Sequence, residues 1–213
     1  MYDLLKEMNQ RERLESILID FLPPPSIGYI VDFIVQHKIA FRIARKRKTK
    51  LGDYRPPYGS QGHRISINHD LNPYQFLITT VHELAHLTTW EKYKNRVKSH
   101  GKEWQSEYAL ILKPLLIEDI FPEDLMHTLE KRLQKPAASS CSDPELSLIL
   151  QKYDADDGLE FVKDIPTGQT FMLEGRIFKK GELMRKRYKC LNLQNKRLYM
   201  VHSLSRARRL EQV

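Results

Sequence analysis

Thr79-Thr80-Val81-His82-Glu83-Leu84-Ala85-His86-Leu87-Thr88-Thr89-Trp90 is the stretch around which this chain is organised. Two histidines stand four residues apart, with a glutamate directly after the first. On a helix, positions i and i+4 share one face and lie about 6 Å apart along the axis. Two imidazoles so placed can reach one tetrahedral cation, with Glu83 beside it to handle a proton. The pattern has this meaning only on a helix, and the flanking residues build one. Asn72 suits the N-cap, Pro73 the first helical position and Gln75 the third, as in a capping box, with Leu71 and Phe76 spaced for a hydrophobic staple. The spacing predicts a helix from Pro73 to about Tyr93, with Leu77, Val81, Leu84, Ala85 and Thr88 on its buried side.

Working outward, Tyr2 to Phe21 has helical apolar spacing and stops at Pro23-Pro24-Pro25. Ser26 is placed to cap a second helix carrying Ile27, Ile30, Val31, Ile34 and Val35. Ile39 to Arg45 alternates with Ile39, Phe41 and Ile43 inward, and His63 to Asn68 with Ile65 and Ile67 inward, so both read as strands. Leu51 to Gly62, rich in glycine and proline, reads as a connection. Downstream, helices are expected over Lys102–Leu116, from Phe121-Pro122-Glu123-Asp124 to about Gln134, and from Pro144 to Tyr153. The small and polar run Pro136 to Pro144 reads as a linker. After Gly158 come short β-prone runs, Leu159–Val162, Thr170–Leu173, Arg176–Phe178, Met184–Leu191 and Arg197–His202. The expected organisation is a domain over residues 1–135, a linker with a short helix over 136–157 and a basic β-module over 158–213. The fold class is α+β, a mainly helical core with a small sheet, followed by a small β-rich module.

Composition narrows the functional class. No apolar run is long enough to cross a membrane, and the N-terminus lacks the apolar core of a secretion signal, so a cytoplasmic protein is expected. Cys141 and Cys190 are the only cysteines, too few for a disulfide framework or a cysteine-rich zinc site. The formal net charge is +8 and it is clustered. Lys38 to Lys50 carries no acid, and Arg176 to Arg209 carries twelve Lys or Arg against Glu182 alone. Two such runs point to an anionic partner. Arg45, Lys46, Arg47 and Lys48 in the first, with Arg185, Lys186, Arg187, Lys189 and Arg197 in the second, are the candidate nucleic-acid contacts. In the second run Tyr188 and Tyr199 interleave with the charges, a mixture suited to backbone contact plus base stacking.

A catalytic zinc usually takes three protein ligands and a water, so a third ligand is sought after His86. A histidine six residues on, with a glycine between, is absent: Lys92 stands there. Glu103 and Glu107 on the next helix are candidates. His100 is preferred, because a loop-end histidine followed by Gly101 can approach a metal without strain.

Val81-His82-Glu83-Leu84-Ala85-His86, a polar loop, and then Ser99-His100-Gly101-Lys102-Glu103-Trp104 together resemble the SprT-like zinc metalloprotease family, which includes bacterial SprT proteins and the DNA–protein crosslink protease Spartan. Arg64-Ile65-Ser66-Ile67-Asn68-His69-Asp70 is similar to the strand and loop before the zinc helix in that family. The likeness covers roughly Ile39 to Leu116. It implies a zincin-like core, Zn²⁺ as cofactor, His82, His86 and His100 as its ligands, and Glu83 as the catalytic glutamate. It implies peptide hydrolysis near or on DNA, and RNA would be served by the same charges. Many relatives carry a cysteine zinc ribbon after the core, for which this chain has only Cys190. A nucleic-acid-binding adaptor with a structural or idle zinc site is the rival reading, and Glu83 speaks against it, since a structural site does not need that glutamate.

Overall fold

The computed structural model describes residues 9–47, 49–117, 120–134, 144–154 and 158–210. The chain forms two compact units, residues 1–154 and 155–213, and the described residues hold six α-helices and two sheets, an α+β fold.

In the first unit, α1 (Gln10–Leu18) starts at a capping box, the Asn9 side chain accepting from the Glu12 N–H and the Glu12 carboxylate accepting from the Asn9 N–H. The part of the expected first helix before Asn9 lies outside the described residues. The proline run ends in a 3₁₀ turn, Pro24–Ser26. Ser26 sits at the N-cap of α2 (Ile27–Gln36), but its hydroxyl donates back to the Pro23 carbonyl at 2.7 Å instead of capping. Three strands follow: β1 (Ala40–Ala44), β2 (Gly52–Arg55) and β3 (Arg64–Asn68). They form a sheet in the order β1-β3-β2, with β1 parallel and β2 antiparallel to β3. The sequence reading has no strand at Gly52–Arg55. Gly-Asp-Tyr-Arg shows no apolar alternation of its own, and only pairing with β3 makes it extended.

The sheet packs Ile65 and Ile67 against the central helix α3 (Pro73–Tyr93). Asn72 caps it, accepting from the Gln75 N–H at 2.9 Å. Residues Phe76 to Val81 are buried all round, so the helix runs through the core with more than one apolar face. Helix α4 (Lys102–Leu112) packs along α3 and ends in a 3₁₀ turn at Lys113–Leu115, one residue ahead of the expected end, where Pro114 interrupts the α-helical ladder. Tyr29 of α2 donates to the Ile111 carbonyl of α4 at 3.1 Å. Helices α5 (Glu123–Gln134) and α6 (Pro144–Gln151) complete the unit. The sequence reading places α6 in the linker. In the structure it buries Leu146 and Leu150 in the first core. Asn72 donates to the Leu150 carbonyl at 2.9 Å and to Asp154 at 2.7 Å, tying the cap of α3 to the end of α6.

The second unit is a seven-stranded sheet of β4 (Glu160–Phe161), β5 (Thr170–Leu173), β6 (Arg176–Lys179), β7 (Leu183–Met184), β8 (Arg187–Asn192), β9 (Leu198–His202) and β10 (Arg206–Leu210). It closes over Val162, Ile165, Phe171, Phe178, Cys190, Val201 and Ala207. Two details differ from the sequence reading. The run Met184–Leu191 is two strands, β7 and β8, because the chain turns through Arg185 at φ +60°. Strand β10, Arg206–Leu210, is unforeseen: its arginines mask a strand that pairs with both β4 and β5.

Candidate metal centre

His82 and His86 occupy successive turns of α3, and His100 closes the loop into α4. The His82 and His86 Nε2 atoms are 3.1 Å apart, and His82 Nε2 is also 3.1 Å from His100 Nε2. Among the described residues this is the one convergent group of three or more potential metal ligands, all ligand atoms lying within 4.8 Å of one another. A tetrahedral ion bound at 2.0–2.1 Å asks for nitrogens about 3.3 Å apart, so the donor set fits zinc. One Nε2 faces two other ring nitrogens at hydrogen-bond distance, an arrangement a shared cation satisfies and a single ring proton does not. Trp104, 1% exposed, forms the floor, its ring 4.8, 5.5 and 4.7 Å from the His82, His86 and His100 rings. His82 Nδ1 and Trp104 Nε1 are buried there without hydrogen-bond partners.

His100 itself carries the tight turn. Its φ is +62°, in the left-handed region where histidine is tolerated at a cost, while Gly101 is extended. The expectation of an unstrained approach is therefore corrected: the strain sits on His100 itself, the candidate ligand. Gly101 sits in a close approach, since a Cβ there would lie 3.0 Å from the Lys98 carbonyl oxygen, tighter than an ordinary contact. The other candidates are otherwise engaged or apart. Glu107 is buried and pairs with Lys92 at 2.6 Å, which also gives Lys92 a role clamping α3 to α4, and Glu103 lies outside the histidine group.

Burial pushes the His82 imidazole down to about 3, with His86 and His100 adding to it. Burial likewise takes His86 to about 4, with His100 adding, and lowers His100. All three rings are thus neutral at physiological pH, the form that ligates a metal. Glu83 moves the other way: burial, then the nearby Asp53 charge, raises its carboxyl to about 7, against a hydrogen bond from the Tyr54 backbone N–H. The carboxylate packs on Gly52, where a Cβ would sit 2.4 Å from Glu83 Oε1. Only glycine at the start of β2 leaves Glu83 this position. Sequence reasoning missed Gly52 and Tyr54; a glycine opening a strand is a recognised sign of close approach.

These shifts set the pH dependence of the metal-free protein. A histidine whose folded pKa lies below its unfolded value near 6.5 binds fewer protons folded than unfolded between the two, so stability rises with pH there. Glu83, raised from 4.5 to about 7, gives the opposite slope over that interval. Three imidazoles outweigh one carboxyl, so chelated protein should gain stability from about pH 4 to 6.5 and lose slightly from 6.5 to 7. Urea midpoints across this range check it, with His86→Gln as reference. A wild-type curve no steeper than the variant's between pH 4 and 6.5 would refute it.

A cavity of about 260 Å³ adjoins His86, walled by Tyr54, Trp90, Lys94, Val97 and Lys98. Lys94 lies 3.9 Å from the centre of the Trp90 ring. Trp90 therefore lines the cleft and is only half-buried. His63 packs beside it. It is hydrogen-bonded to the Tyr54 hydroxyl at 2.9 Å, lies 3.5 Å from Glu91, and meets Trp90 edge-on.

The basic candidates separate. Arg45 is exposed. Lys46 pairs with Asp70 at 2.9 Å. Arg47 is pinned to the sheet, donating to Asn68 Oδ1 at 2.7 Å, Ser66 Oγ at 3.0 Å and the Ser66 carbonyl at 3.1 Å. Lys48 lies outside the described residues. Arg185, Lys186, Arg187, Lys189 and Arg197 are all exposed on the second unit. Tyr188 and Tyr199 do not share their face: strand alternation turns both toward Phe178 and Cys190. Lys180 is buried as well, donating to the Lys163 and Ile165 carbonyls and lying 3.8 Å over the Tyr188 ring.

Residues 30–118 match the SprT-like family. This SprT-like segment runs from α2 through α4 and contains every residue of the histidine cluster, Glu83 and the three-stranded sheet. The family is metal-dependent and metalloprotease-related, in keeping with the donor set. The second unit lies outside the match. No curated protein and no solved structure matches the chain. No helix among the described residues is long and apolar enough to cross a membrane.

Proposed function

We propose that the chain is a zinc-dependent metallopeptidase of zincin-like architecture. The observation that carries this reading is the convergence of the His82, His86 and His100 Nε2 atoms beside a buried glutamate that is not itself among them. Zinc held by three imidazoles supplies a Lewis acid and acidifies water toward neutral pH. Glu83, buried beside the three imidazoles, accepts a proton on its carboxylate and returns it to the leaving amine. Gly52 and the Tyr54 N–H hold that carboxylate in place. The cavity beside His86 takes the substrate side chain next to the scissile bond.

Protein substrates near or bound to DNA, with RNA as the other strand of the same chemistry, fit the net charge of +8 and the exposed basic residues of the second unit. Cys190, buried as a free thiol, accords with a cytoplasmic setting. A buried Glu83 held beside the three imidazoles favours this reading over an idle adaptor. The test is metal removal. Hydrolysis of an unfolded protein substrate should stop on chelation and return with stoichiometric zinc; activity that persists in metal-free protein would overturn the reading.

A further inference from the structure

We propose that the solvent face of the β1-β3-β2 sheet is a groove that binds the phosphodiester backbone of a single nucleic-acid strand. It rests on the nucleic-acid part of the proposed function and is independent of the peptidase chemistry.

The face holds a cavity of about 460 Å³ lined by Arg42, Arg47, Arg55 and Arg64. The register explains the clustering. Ala40, Arg64 and Arg55 form one cross-strand row, and Arg42, Ser66 and Asp53 the next. Small residues at Ala40 and Ser66 make the depression and arginines wall it. The rows lie two residues apart, about 6.6 Å along the strands, a spacing that lets guanidiniums engage successive phosphates of an extended chain.

The guanidiniums have capacity to spare. Arg42 is exposed and has no hydrogen-bond or ion-pair partner among the described residues. Arg64 uses its terminal nitrogens on Gln61 and the Pro56 carbonyl, but its Nε is buried without a partner. Arg55 contributes only its Nε to Asp53, at 3.0 Å. Asp53 is the one acid on the lining, and Lys50 at 2.7 Å covers its other oxygen. Arg47 fixes the floor through Ser66 and Asn68, so the charge is pre-positioned. A cavity of this size takes a small ligand, hence a nucleotide or two of one strand; a duplex does not enter it.

The placement gives the groove a use. Strand β2 has Gly52 against Glu83 on one side and Asp53 and Arg55 in the groove on the other. A nucleic-acid strand in the groove is thus one β-strand away from the candidate carboxylate, and a protein carried on that strand is delivered to the cleft.

The experiment is fluorescence anisotropy of zinc-loaded full-length protein with a labelled 15-mer oligothymidylate. Arg42→Glu with Arg55→Glu should weaken binding at least tenfold at low salt. The slope of log affinity against log salt should become shallower by about 1.4, from about 0.7 per phosphate contact on single strands. Melting temperature and zinc content should stay at wild-type values. If the double reversal disturbs folding, Arg42→Gln alone must still weaken binding several-fold. Oligouridylate should bind within a few-fold of oligothymidylate, because the backbone is read, and thymidine monophosphate should compete only weakly. Wild-type affinity in the arginine variants, with loss in Arg187→Glu/Lys189→Glu, would place binding on the second unit and overturn the groove alone. Absence of binding by the wild type would overturn the groove and the nucleic-acid reading together. Equal competition by an oligoglutamate of matched charge would make this an acidic-peptide site and also overturn it.

Discussion

Glu83→Gln is expected to leave the protein folded and metal-loaded while cutting peptide hydrolysis by about 10²–10⁴-fold, the usual contribution of a positioned acid/base group. The substitution is nearly isosteric. It matters that the site is tight: Glu83 is 7% exposed, and Gly52 sits so close that even a methyl there would collide with the carboxylate. A glutamine can keep the hydrogen bond from the Tyr54 N–H by turning its carbonyl toward it. What it loses is the ability to accept and return a proton. Zinc content measured beside turnover separates the two roles. Retained zinc with lost hydrolysis supports the assignment; hydrolysis within a few-fold of wild type would remove Glu83 from the chemistry, and lost zinc would make it part of the metal's support.

The second large effect is expected at His100. Replacing a residue that merely orients a ligand typically costs 10–100-fold in metal affinity, so loss of a ligand, His100→Ala, should weaken zinc binding by more than hundredfold. The backbone offers a control that separates ligation from folding. Because His100 sits at φ +62°, His100→Gly relieves the left-handed strain and should stabilise the metal-free protein by up to about 1 kcal/mol while losing zinc equally. Zinc titration and urea denaturation of the chelated protein read the two effects independently. Tight zinc in both variants would return Glu103 to consideration; Glu107, held by Lys92 at 2.6 Å, is the less available of the two.

Much of this was legible along the chain because it is local. The helix carrying His82 and His86 runs from Pro73 to Tyr93 as its cap and periodicity predict. The strands around Ile39–Ile43 and Ile65–Ile67 follow from alternation. The family match over residues 30–118 falls where the motifs lie. Misses share one cause. Strand β2 has no apolar alternation and exists through its ladder to β3. Strand β10 is hidden by arginines until β4 and β5 flank it. Helix α6 reads as linker because only packing on the first core shows where Leu146 and Leu150 go. Arg47 looks like its neighbours in a basic run, yet it is committed to Ser66 and Asn68.

By itself, then, the sequence determined the central helix, the i and i+4 placement of two imidazoles and the glutamate beside them, since these depend on 3.6-residue periodicity and on caps within a few residues. Tertiary structure alone decided that His100 comes within 3.1 Å of His82 and completes the cluster with His86, that Gly52 and Tyr54 hold Glu83, and that arginines from three strands share one groove. Those relations join residues far apart in the chain, and they depend on sheet register and helix packing, which no local pattern encodes.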